Sequence, residues 1–128
     1  MRNIVVLLIT WLAAAGAADV SGGWSISGAF DGASVAKGVK RQADLICDLK
    51  QEHETLTGEC RPANGPGDVP VVGTVRDDQV EWRFDIALTP AAKKQTVTYT
   101  STVNDAGTRM KGTFSIADLR GTFTAEKQ

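Results

Sequence analysis

The sequence predicts an all-β fold, an eight-stranded up-and-down antiparallel barrel stapled by one disulfide. Three observations lead there. Almost everything after Gly23 alternates apolar and polar residues with period two, the signature of half-buried strands. A motif of apolar–x–Gly–x–apolar recurs at Leu56–Cys60, Val71–Val75, Met110–Phe114 and Leu119–Phe123. A glycine inside a strand weakens it, so glycines repeated on the inward phase mark bends or close approaches in a strongly curved sheet. Finally, short and long connections alternate along the chain, as in a cup with a closed base and an open mouth.

Each strand has its own pattern. Trp24, Ile26 and Phe30 share one face, with Ser25, Ser27 and Ala29 on the other. Leu45, Cys47 and Leu49 alternate with Ile46, Asp48 and Lys50. The next two strands carry the first two glycine motifs. Val80, Trp82, Phe84, Ile86 and Leu88 then alternate with Glu81, Arg83, Asp85 and Ala87. Val97, Tyr99, Ser101 and Val103 alternate with threonines at 96, 98, 100 and 102, and the last two glycine motifs complete eight strands. No helix is predicted. The aperiodic stretch 31–42 is expected to be a long loop.

Turn positions fix an expected register. A two-residue turn at Asp77-Asp78 sets Val75 against Val80 and Gly73 against Trp82. A similar turn at Ala117-Asp118 sets Gly121 against Phe114 and Gly112 against Phe123. A turn around Glu52 to Thr55 sets Gly58 against Leu49 and Cys47 against Cys60. A four-residue turn at Asn104 to Gly107 would place Gly112 beside Tyr99 on its other side. Each glycine would then make room for a large side chain across the ladder. The turns near 52, 77 and 104 fall at one end, and the longer connections 31–42, 62–69 and 89–95 at the other.

The first eighteen residues read as a secretory signal peptide outside the fold. Arg2 precedes an uncharged apolar run from Ile4 to Ala15, and small residues before Ala18 or Asp19 suit cleavage. Asp19 ends the run short of the roughly 20 apolar residues of a membrane span. Residues 19–128 are the size of one domain. Of the 14 Lys and Arg one is Arg2, leaving 13 against 15 Asp and Glu, a mild net −2 that argues against a general nucleic-acid binder. Two cysteines in an exported chain favour a Cys47–Cys60 disulfide over a metal site, and a periplasmic or extracellular location.

Gly22-Gly23-Trp24 opening the first strand resembles the G-x-W signature of lipocalins and related calycin barrels. In lipocalins an arginine of the last strand packs over that tryptophan; here the inward-phased residue near Trp24 is Lys127, while Arg120 faces outward. The mature start Ala18-Asp19-Val20-Ser21-Gly22-Gly23-Trp24, with Leu49-Lys50-Gln51 and Leu56-Thr57-Gly58, is similar to small exported bacterial lipocalin-like domains with an ADVSGxW opening. That resemblance covers nearly the whole mature chain and implies the barrel, but carries no established activity. Avidin-type barrels are similar in architecture, without a matched biotin-site pattern.

Reactive constellations are sparse. His53, the sole histidine, lies between Glu52 and Glu54 in a tight turn, where neighbouring side chains splay apart rather than converge on a metal or a proton. No nucleophile motif supports a hydrolytic triad. Asp77-Asp78 reads as a polar turn, since hard cations need many oxygen ligands. No cofactor, metal or enzymatic activity is expected.

The expected functional surface is the barrel mouth, which points to a binding module for a small apolar or anionic amphiphilic ligand. Its candidate lining is Phe30, Leu45, Val71, Ile86, Leu88 and Val97, with Trp82 and Tyr99 as the floor and Ser101 deeper; Ile116 and Leu119 are also inward-phased near the top. Val35 and Val39 would lid it. Lys37, Lys40, Arg41, Lys93 and Lys94 would form a basic rim beside Asp31, Asp68 and Asp118, and would steer anions. The alternative is a monomeric protein-interaction module, such as an inhibitor of a secreted hydrolase, acting through the 31–42 or 62–69 loop.

Overall fold

The computed structural model describes residues 19–31, 43–62, 67–87 and 93–128. The expected signal segment, the would-be lid residues Val35 and Val39, the basic residues 37, 40 and 41, and Leu88 lie outside them.

Eight strands follow one another in a closed meander: β1 (Gly22–Phe30), β2 (Leu45–Glu52), β3 (Thr55–Pro62), β4 (Val69–Arg76), β5 (Gln79–Ile86), β6 (Gln95–Val103), β7 (Arg109–Ile116) and β8 (Leu119–Lys127). All pairs are antiparallel, and β8 pairs with β1 to close the barrel. Closure leaves no strand edge open to another chain. No helix among the described residues is long and apolar enough to cross a membrane.

The turn-derived register holds at three of its four hairpins. Val75 faces Val80, Gly73 faces Trp82, Gly121 faces Phe114, Gly112 faces Phe123, Gly58 faces Leu49, and Cys47 faces Cys60. The first residue of each two-residue turn, His53, Asp77 and Ala117, has φ of 57°, 54° and 52°. Mirror-image hairpin turns require that hand because it follows the twist of the strands they join.

The β6–β7 register differs from expectation. Tyr99 faces Phe114, and Gly112 faces Ser101 rather than Tyr99. The Asn104 side chain is the cause. Its Oδ1 accepts from the N–H groups of Thr108 and Arg109, at 2.9 and 3.1 Å, and the backbone N–H of Asn104 donates to Arg109 O. That cap draws Thr108 into the turn, so the ladder starts with Val103 against Met110. The slip is by two residues, which preserves the inward phase.

The strand glycines are needed for a reason closer than large side chains. A Cβ on Gly58, Gly73 or Gly112 would overlap the backbone carbonyl of Asp48, Glu81 or Thr100 in the neighbouring strand. At Gly121 it would meet both Ala29 O and the Phe114 ring. The sheet coils so tightly that an adjoining backbone occupies the side-chain position.

The Cys47–Cys60 disulfide joins directly opposed residues of β2 and β3, with both cysteines buried. Closing a loop with a sequence separation of 13 contributes about 3 kcal/mol in the chain-entropy account. A disulfide is compatible with an oxidising, exported location.

Candidate binding site

The barrel has one sealed end. Residues 19–21 cross it before β1 begins. Val20 is completely buried, its N–H donates to Gln51 Oε1 at 2.9 Å, and its carbonyl accepts from Trp24 Nε1 at 2.9 Å. Gln51 N–H donates to Ser21 Oγ at 3.0 Å. Lys127 Nζ lies 5.7 Å from the centre of the Trp24 ring and donates to Asp19 O at 3.4 Å. The inward-phased lysine of the last strand thus covers the tryptophan of the first as a cation over a π face. The Ser21 N–H bond to the Asp19 carboxylate, 3.0 Å, holds that carboxyl below its usual range.

Above this base the interior is aromatic. Trp82 and Tyr99 stack with ring centres 5.0 Å apart and planes 3° from parallel. Phe114 stacks on Tyr99 at 5.4 Å, while Phe123 meets both Trp82 and Tyr99 edge-on, at 5.5 and 5.1 Å. Such offset and edge contacts are the favoured arrangements of aromatic quadrupoles. Ser101 is the one buried side chain of polar or charged type among the described residues, and its hydroxyl donates to Val80 O at 3.1 Å. Burial pushes the Tyr99 phenol well above its usual range.

Several positions toward the opposite end are more exposed. Val75, Val80 and Trp82 are 0% exposed, Val71 2%, Leu45 and Val97 5%, Phe84 6% and Val69 9%, while Ile116 at the end of β7 stays at 2%. Phe30, Ile86 and Leu119, at the ends or starts of their strands, are half-buried. Phe30 packs edge-on against Phe114 at 5.1 Å. The nine candidate residues therefore divide by depth. Trp82, Tyr99 and Ser101 form a buried layer, Leu45, Val71 and Val97 stand above it, and Phe30 and Ile86 reach the rim; Leu88 lies outside the described residues. Leu119, expected near the top from its phase, belongs to the same end, as does Phe84, whose inward phase was the available signal.

Lys93 and Lys94 are exposed before β6. Asp68 pairs with Arg61 at 3.0 Å across the connection from β3 to β4, so part of the rim's charge is internally matched. His53 is exposed at its turn. No group of three or more His, Cys, Asp or Glu among the described residues could hold a metal ion.

A concavity of about 530 Å³ lies outside the barrel over β1, β7 and β8, with Ser27, Ala29, Thr122 and Thr124 as its floor and Asp44 and Lys111 beside them. The sequence marks it through the run of small outward hydroxyls on these strands.

No family model matches the chain, and no curated protein matches it. Among solved structures, a redesigned beta barrel resembles it with a TM-score of 0.61 at 16% identity, over 85% of this chain and 91% of the other. At that identity the likeness is one of fold: a closed eight-stranded antiparallel barrel, an architecture compatible with a binding module.

Proposed function

We propose that this barrel is an exported, lipocalin-like, non-enzymatic binding module that takes a small apolar or amphiphilic ligand at its mouth. The observation that carries the reading is the gradient of exposure along the inward face, from a sealed base to half-buried Phe30, Ile86 and Leu119. An eight-stranded barrel has interior room for side chains or one small ligand. Here the aromatic layer of Trp82 and Tyr99 is the floor, and anything bound sits above it. An apolar tail would lie against Phe84, Val97 and Leu45, with any anionic head outward near Lys93 and Lys94.

Titration with a panel of fatty acids and lysolipids, followed by tryptophan fluorescence and thermal shift, tests this. Binding should raise the melting temperature, and Leu119→Lys should abolish the rise while leaving the ligand-free melting temperature within a few degrees. No shift with any member of the panel rejects the reading.

The Arg61–Asp68 pair favours a second reading. It ties together the two ends of the β3–β4 connection, which suits a shaped projection for a protein partner. Replacing 63–66 with a Gly-Ser linker should then abolish capture of that partner from envelope or secreted fractions; capture undiminished by the replacement removes the loop from consideration.

A further inference from the structure

Trp82 carries the one buried side-chain nitrogen or oxygen among the described residues that has no hydrogen-bond partner, its indole Nε1. The contrast with Trp24 is informative, because Trp24 Nε1 is equally buried and donates to Val20 O. Ser101, in the same buried layer, also satisfies its hydroxyl proton on Val80 O. Leaving a buried donor unmatched costs about 1–3 kcal/mol, and native interiors hold few such groups, each of which calls for an explanation. Stacking on Tyr99 does not itself call for an N–H, since a phenylalanine ring would also offer a stacking face.

We infer that Trp82 Nε1 is the polar anchor of the ligand site, donating to one oxygen acceptor on the floor of the mouth. In the unloaded barrel that acceptor is a water molecule; in the loaded barrel it is the carbonyl oxygen of a neutral apolar ligand. This rests on the reading of the mouth as a ligand site and deepens it by naming the inward end of the ligand. The neutral class follows from the surroundings. Among the described residues no cationic side chain is buried in the interior, and the inward-phased lysine of β8, Lys127, is engaged over Trp24 at the base. A carboxylate with a single N–H for company would be far too poorly solvated there, whereas a ketone, aldehyde or ester oxygen needs no more than one donor.

The test uses the full mature protein, ¹⁵N-labelled, and two probes of nearly equal shape, acetophenone and ethylbenzene. Acetophenone should bind about tenfold more tightly than ethylbenzene and move the Trp82 indole cross-peak, with the Trp24 peak unmoved. Trp82→Phe should erase the preference while keeping the affinity for ethylbenzene. Without probe, the Trp82 indole proton should show a cross-peak to water. Equal binding of both probes with a stationary Trp82 peak overturns the anchor and leaves the ligand site standing. If neither probe nor any lipid binds, the ligand reading falls, and the acceptor site survives solely as a hydration site, shown by the water cross-peak; absence of that cross-peak as well overturns it. The wild-type spectra decide even if Trp82→Phe fails to fold.

Discussion

Tyr99 is the one tyrosine of the chain, and the fold places it at the centre of the aromatic layer, 2% exposed, between Trp82 and Phe114. Its phenol resists ionisation because the phenolate would be stranded in apolar surroundings. In the unfolded chain the same group ionises near pH 10. The folded state therefore holds its proton where the unfolded state loses it, so stability is fully present below about pH 10 and declines as pH rises beyond that value. Phenolate absorbance should thus appear together with loss of β-sheet circular dichroism, in one transition, rather than before it. A Tyr99→Phe variant should show a shallower fall of melting temperature above pH 10. Phenolate absorbance rising in the folded protein near pH 10 would contradict the burial of this ring. That Tyr99 points inward is readable from alternation. Its pairing with Phe114 is not, because that depends on the β6–β7 register, which the Asn104 cap sets through side-chain bonds that no hydrophobic pattern records.

The strands are individually weak formers made competent by their partners. Five glycines on β3, β4, β7, β8 and β1 interrupt the apolar face, and four of them sit where a neighbouring backbone fills the side-chain position. Gly112→Ala should be costly, since the Thr100 carbonyl is backbone and moves only if β6 moves with it. The expected loss is about 3 kcal/mol, at the upper end of overpacking costs, read from the denaturant midpoint. Gly28→Ala is the comparison: its nearest contacts are Phe114 Cε1 at 3.0 Å and Ala43 O at 3.1 Å, a lighter conflict that should cost clearly less. Equal losses at both positions would mean that intrinsic strand propensity, and not close approach, governs these sites. The pairing partners across two-residue turns were legible because such a turn leaves no freedom in the count. What lay beyond reach of the pattern was the cause of each glycine, since the distance between adjoining backbones depends on how tightly the sheet coils.

At the scale of the whole molecule, the two ends of the barrel are built on different principles. The mouth has aliphatic and aromatic side chains emerging toward solvent, and the base is tied by specific polar bonds from Val20, Ser21, Trp24, Gln51 and Lys127. Trp24→Phe keeps the ring under Lys127 but strands the Val20 carbonyl, and should lower stability by about 1–2 kcal/mol. Lys127→Met in the same background should add a further loss of about 0.5–1 kcal/mol. Hydrogen exchange offers the sharper check: protection should fall at the Val20 and Gln51 amides and persist at the β5–β6 ladder. Uniform loss across the barrel would show that the base is not a separable unit. The sequence located Lys127 beside Trp24 by strand phase alone, yet gave no sign that residues 19–21 would fold back across the opening, because three residues carry no period.

The closing pair of strands also decides where the C-terminal residue lies. Gln128 N–H donates to Gly23 O at 2.8 Å, so the last residue lies against the start of β1, at the sealed base. Whatever is joined to the C-terminus therefore leaves from the side opposite the mouth. Tethered to a solid support through a C-terminal tag, every molecule would stand with its opening toward the solution, all in one orientation.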